Sequence, residues 1–245
     1  MSERKPVCLV VGAGDGLGSA IARAFAAEGY PVCMTRRARN LEALEKVAED
    51  IRAAGGAAHA YGVDARDENA MVALFDTIER DVGPLEVVVF NIGANVRFGI
   101  RETTARVFTK VWEMACFAGF LAGREAARVM VPRGRGTVLF TGATASVRGR
   151  EGFSAFAAAK HGLRAVAQSM ARELGPLGVH VGHVVIDGGI DGVFIRGVRE
   201  NAEALLANDE ILRPKDIAQA FVAVHRQARS AWTHELDLRP WRETW

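Results

Sequence analysis

Only three cysteines, Cys8, Cys33 and Cys116, occur in 245 residues, and they are scattered through apolar stretches. The spacing of a zinc site is absent, so they read as reduced, buried thiols. No apolar run approaches the roughly 20 residues that span a bilayer, and no hydrophobic signal region follows the opening Met1–Pro6. A cytoplasmic location without a membrane partner is expected. Charge of one sign is missing too. The chain has 31 basic and 29 acidic side chains, and its many arginines are dispersed, which argues against a nucleic-acid partner. Linkers, repeats and low-complexity tracts are also lacking. What remains is a chain 49% apolar and 24% charged, long enough to bury a core without disulfides or metal, hence one globular domain.

Short, mostly uncharged apolar runs stand at Val7–Val11, Val32–Thr35, Ala57–Val63, Leu85–Asn91, Gly136–Thr141, Val179–Ile186 and Trp232–Leu238. Segments of helical period lie between them, at Gly16–Glu28, Arg39–Ala53, Asp67–Asp81, Thr104–Met130, Phe153–Leu174 and Lys215–Arg229. Continuous apolar strands alternating with helices predict a doubly wound parallel α/β sheet that binds ligands beyond the carboxyl ends of its strands. One interval, about 188–213, breaks the rhythm and has a weak helix of its own near Glu200–Asn208. It is expected to cover the ligand crevice as a lid, the alternative being a plain surface connection.

Directly after the first strand come Gly12, Gly14, Asp15, Gly16, Leu17 and Gly18, leading into a helix. Glycines here permit a tight turn and let a pyrophosphate approach backbone N–H groups at a helix N-terminus. The end of the second strand, roughly 20 residues on, meets the adenosine ribose in a dinucleotide site, and this chain has Arg36 and Arg37 there. Two guanidinium groups suit a 2′-phosphate, so NADP(H) is expected over NAD(H). Asp15 nearby weakens that preference, and two solvated arginines are the alternative.

Taken with Asp64 after the third strand, Asn91-Ile92-Gly93 after the fourth, and Phe156 followed four residues later by Lys160, these motifs resemble a short-chain dehydrogenase/reductase over essentially the whole chain. The resemblance implies a single-domain Rossmann fold with a seven-stranded parallel sheet flanked by helices. It implies that Asp64 and Ala65 flank the adenine, that Asn91 and Gly93 lie against the adenosine, that Lys160 holds the nicotinamide ribose, and that the Ile190 backbone meets the nicotinamide amide. It also implies a homo-oligomer, tetramer or dimer, built partly by the helices at 104–130 and 153–174. The aromatic ending from Trp241 to Trp245 is expected to dock on a neighbour.

The departures from that pattern are as informative. The usual catalytic set is a serine, a tyrosine, the lysine and an asparagine; here Phe156 stands at the tyrosine position, Ala143 at the serine position and Cys116 at the asparagine position. The family's Pro-Gly step is Asp187-Gly188. Phenylalanine cannot protonate a carbonyl, and the two tyrosines, Tyr30 and Tyr61, lie in segments that should not reach the site. A general acid is worth on the order of 10² to 10⁴ in rate, whereas holding reactants in register is worth effective molarities of roughly 10⁵ to 10⁸ M, so hydride transfer survives in principle for an activated substrate.

Substitutes for the lost groups are Thr144 and Ser146, which would otherwise satisfy backbone groups, and Asp187, which would act as an acid or form an Asx turn with Gly188. His161 and His183 read as packing residues. Thr144, Phe156 and Cys116 are expected to face substrate, although Cys116 also fits a small core position. Arg148 and Arg150 either recognise an anionic substrate or are solvated. Val193, Phe194 and Ile195 hint at an apolar ligand. The leading expectation is an atypical NADP(H)-dependent oxidoreductase acting on a small carbonyl, alcohol or imine, without metal. The rival is a cofactor-binding protein without turnover, a sensor or inactive subunit. A lyase or dehalogenase would still need an acid or base where Phe156 stands.

Overall fold

A computed structural model describes residues 4–243. Its seven strands are β1 Val7–Val11, β2 Val32–Arg36, β3 Ala58–Gly62, β4 Leu85–Phe90, β5 Gly136–Thr141, β6 Val179–Ile186 and β7 Glu235–Leu238. All pairs are parallel, in the order β3-β2-β1-β4-β5-β6-β7. The chain starts in the middle and winds outward both ways, so the order reverses between β1 and β4 and a crevice opens past their carboxyl ends.

The helices are α1 Leu17–Ala27, α2 Leu41–Ala53, α3 Glu68–Asp81, α4 Ala105–Trp112, α5 Ala118–Met130, α6 Ser154–Leu174, α7 Val193–Val198, α8 Ala202–Ala207 and α9 Pro214–His225. Alternate strand residues face opposite sides of the sheet and make two cores. Cys8, Val10, Met34 and Leu139 pack against α1, α2 and α9. Leu9, Val88, Phe90 and Phe140 pack against α3, α5 and α6. Burial on both faces is why these strands are continuously apolar.

Several elements differ from the expectation: the 188–213 interval holds α7 as well as the one helix expected there, and α9 ends at His225. The helix expected over Thr104–Met130 is interrupted by a π turn at Glu113–Phe117 between α4 and α5. The last strand begins at Glu235 instead of Trp232, because the residues before it turn inward. Trp232 stacks on His180 with ring centroids 4.8 Å apart, and the Thr233 N–H donates to the Gln227 side chain at 2.7 Å. The ending, expected to dock on a neighbour, leaves Trp241 70% exposed. The Trp241 indole donates to the Asn208 carbonyl of its own chain at 3.2 Å, and Trp245 lies outside the described residues. Among the described residues, no helix is long and apolar enough to cross a membrane.

Candidate functional site

The glycine turn is dictated by close backbone packing. Gly12 has φ +94°, and a Cβ there would stand 2.6 Å from Ile92; a Cβ on Gly18 would stand 2.5 Å from the Gly12 carbonyl oxygen. Asn91 locks the turn from β4, its side-chain amide donating to that same carbonyl at 3.1 Å. Gly14 and Gly93 face open space: a Cβ on Gly14 would meet only the Arg36 guanidinium, at 3.8 Å, and one on Gly93 nothing within 4 Å. Helix α1 begins beside this opening with no side-chain cap and no acid in its first turn. An uncapped helix N-terminus of this kind suits an anion supplied from outside the chain. Glycine backbone and helix end fit a dinucleotide pyrophosphate.

The crevice has two chambers that share Asn91, Ile92 and Gly93. The first, of about 250 Å³, is walled by Gly12, Gly14, Arg36, Arg37, Asp64, Ala65 and Arg66. Arg36 donates to Asp15 at 3.1 Å, so the acid beside the turn engages one of the two arginines. Arg66, which sequence reasoning missed, grips Asp64 through two guanidinium bonds of 2.9 and 2.5 Å and a backbone N–H bond of 3.1 Å. Those bonds hold the Asp64 carboxyl down at about 2. The Asp-x-Arg spacing was the available signal.

The second chamber, of about 480 Å³, lies beyond β4, β5 and β6. Leu17, Ala143, Thr144, Phe156, Lys160 and Ile190 are among its walls, and Phe194 and Ile195 of α7 reach it from the 188–213 segment. Lys160 is buried on α6 and donates to the Thr141 carbonyl at 2.8 Å and the Ile92 carbonyl at 3.2 Å. Two of its three N–H bonds are thereby fixed, leaving one for a ligand. Burial lowers its pKa to about 8. Phe156, one helical turn earlier, has its ring centroid 5.9 Å from the ammonium and brings no transferable proton.

Thr144 donates to Asp187 at 2.6 Å, so its own proton is committed and its oxygen lone pairs remain for a ligand donor. Asp187 is 1% exposed and also accepts from Arg148 at 3.2 Å; its partners are side chains, not the Asx-turn backbone. Ser146 accepts from the Ala143 N–H at 3.1 Å, the local backbone role expected of it. Cys116 is not among the walls. The π turn carries it inward onto α6, where a Cβ on Gly162 would stand 2.8 Å from its sulfur, and burial pushes its thiol pKa up. It is a packed thiol next to Lys160. His161 bonds back to the Ala157 carbonyl, Tyr30 pairs with His225, and Tyr61 lies on β3, all away from the second chamber.

The short chain dehydrogenase family model matches residues 6–202. The chain belongs to this family. A short-chain dehydrogenase from Rhodopseudomonas palustris is 47% identical in sequence and superposes with TM-score 0.84 over 97% of this chain and 100% of the other. A metagenomic short-chain oxidoreductase solved in complex with NADP is 26% identical, with TM-score 0.83 over 99% and 100% of the two chains. The 3-oxoacyl-[acyl-carrier-protein] reductase MabA of Mycobacterium avium is 33% identical over 80% of this chain and 71% of its own length. Gluconate 5-dehydrogenase of Gluconobacter oxydans is 29% identical over 82% and 75%. The named relatives are dehydrogenases and reductases, so this short-chain dehydrogenase chain is of an oxidoreductase family.

Proposed function

We propose that this chain is an NADP(H)-dependent oxidoreductase working on a small molecule without a tyrosine acid. The observation that carries the reading is the two-chambered crevice, with the glycine turn and arginines in one chamber, Lys160 in the other, and Asn91 to Gly93 between. The neighbour solved with NADP supports the choice of cofactor. When bound, the nicotinamide would supply or accept the hydride. Gly14, Asp15, Gly16, Leu17 and Gly18 would hold the pyrophosphate, and Arg36 and Arg37 the 2′-phosphate. Asp64 and Ala65 would edge the adenine, Asn91 and Gly93 the adenosine side, and Lys160 the nicotinamide ribose, with the Ile190 backbone at the amide. Phe156 closes the substrate chamber with a ring where a proton donor would otherwise stand. Rate would then come from holding the reactants in register, with Thr144 accepting a hydrogen bond from the substrate. The 188–213 segment would act as the lid.

A second reading, cofactor binding without turnover, is favoured by Phe156 and Ala143 at the positions the resemblance assigns to tyrosine and serine. Titrating NADPH and NADH by fluorescence, then following absorbance at 340 nm with ketones, quinones and imines, separates the two. Tighter NADPH binding and a turnover lost in Lys160→Ala support the enzyme; saturable binding with no oxidation across the panel supports the silent protein. The double substitution Phe156→Tyr with Ala143→Ser is expected to raise ketone reduction, by on the order of 10²-fold for one restored general acid. Unchanged ketone reduction would show that these two positions do not face the reacting carbon.

The homo-oligomer belongs to the same proposal. Phe108, Trp112 and Phe120 are 40–41% exposed along α4 and α5, a ladder of rings suited to a second copy.

A further inference from the structure

The second chamber has an apolar interior and a one-signed set of charges. Phe153, Phe156, Phe194 and Ile195 supply most of its large surfaces, while the charged walls are Arg148, Arg150 and Lys160, all cationic. No aspartate or glutamate is among the walls. The nearby acid, Asp187, is buried beneath and bonded to Thr144 and Arg148. At the mouth, Arg148 and Asp187 largely cancel, and Arg150 has no side-chain hydrogen bond or ion pair to any described residue. Arg150 is thus an exposed guanidinium with no partner among the described residues, at the edge of a largely apolar cavity.

We infer that the chamber takes a substrate with an apolar body and a single carboxylate, the carboxylate being held at the mouth by Arg150 beside Arg148. The inference rests on the reading of the crevice as a substrate site and narrows it to a chemical class. A carboxylate entering an apolar cavity loses hydration, and only a partner that pairs and hydrogen-bonds it restores the loss. The planar guanidinium fork does that with two parallel bonds. One guanidinium fork matches one carboxylate, and a neutral body of the same shape gains the apolar contact alone. A cavity of about 480 Å³ falls within the roughly 300 to 1,000 Å³ of small-molecule sites.

The test titrates cyclohexanecarboxylate, benzoate and octanoate, each against its neutral amide, into the full chain by calorimetry, with and without saturating NADPH. Each anion is expected to bind roughly tenfold to a hundredfold tighter than its amide, the range set by one charge-assisted pairing. Arg150→Gln should erase the preference, Arg150→Lys should keep part of it, and Arg229→Gln, replacing a guanidinium that bonds the Gly134 carbonyl just before the amino end of β5, should leave it intact. The proposal is overturned if anion and amide bind alike, if none of the three anions binds, or if Arg150→Gln keeps the full preference. Failure of NADPH to bind while the anions bind would sink the dinucleotide reading and leave this one standing; the reverse result would do the opposite.

Discussion

Gly14 and Gly18 separate two demands on the same turn. At Gly18 the fold itself excludes a side chain, since a Cβ would press on the Gly12 carbonyl and come within 2.9 Å of the Asn91 amide. Gly18→Ala is expected to cost about 1–3 kcal/mol of stability, as overpacking does, with a lowered melting temperature. At Gly14 the only neighbour is the flexible end of Arg36, so Gly14→Ala should keep the wild-type melting temperature and yet weaken NADPH about tenfold by holding the phosphates off the backbone. Full NADPH affinity in Gly14→Ala would remove the pyrophosphate from this loop. The glycine turn was legible in sequence because it follows the first strand and opens a helix, whereas Asn91 and Lys160 were picked out by the family resemblance. The Thr144–Asp187 bond was not legible: the two residues lie 43 positions apart, a short polar side chain in a loop has many possible partners, and only tertiary placement selects one.

Among the elements, strands were read most closely, with β1, β5 and β6 matching residue for residue, because burial on both faces makes an unbroken apolar run that turn residues bound sharply. The interruption at Glu113–Phe117 escaped, since one π turn alters the 3.6-residue period too little to show in a pattern of apolar residues. Its effect on the surface is large. At the end of the break, Phe117 stacks between Trp112 and Phe120 at 6.1 and 6.3 Å, and Arg124 lies over the Phe120 ring. If this ladder meets a second copy, Phe120→Glu should convert the oligomer to monomers in light scattering, while far-ultraviolet circular dichroism stays unchanged. A wild-type chain that is already monomeric at micromolar concentration would refute the assembly.

For the whole molecule, acid is expected to act through buried imidazoles before it reaches the carboxylates. Burial lowers the pKa of His183 to about 4, with Glu235 only partly offsetting it, and burial followed by the neighbouring His180 lowers that of His225 to about 4. Both must stay neutral in the folded chain, whereas in the unfolded chain they take up protons near the ordinary value of about 6.5. Between about pH 6.5 and 4 the unfolded state therefore binds more protons, and stability falls as pH falls, by a few kcal/mol for the pair. The ion pair that holds Asp64 near 2 has the opposite kind of shift, a depressed carboxylate, and its contribution is lost only below about pH 4. The two windows hardly overlap. Urea unfolding at pH 7, 5.5 and 4 should show the wild-type midpoint dropping across that interval. The double substitution His183→Gln with His225→Gln should start from a lower midpoint at pH 7 but decline much less, because no imidazole remains in those places to be charged on unfolding. An equal decline in both proteins would mean that the acid response resides elsewhere in the chain.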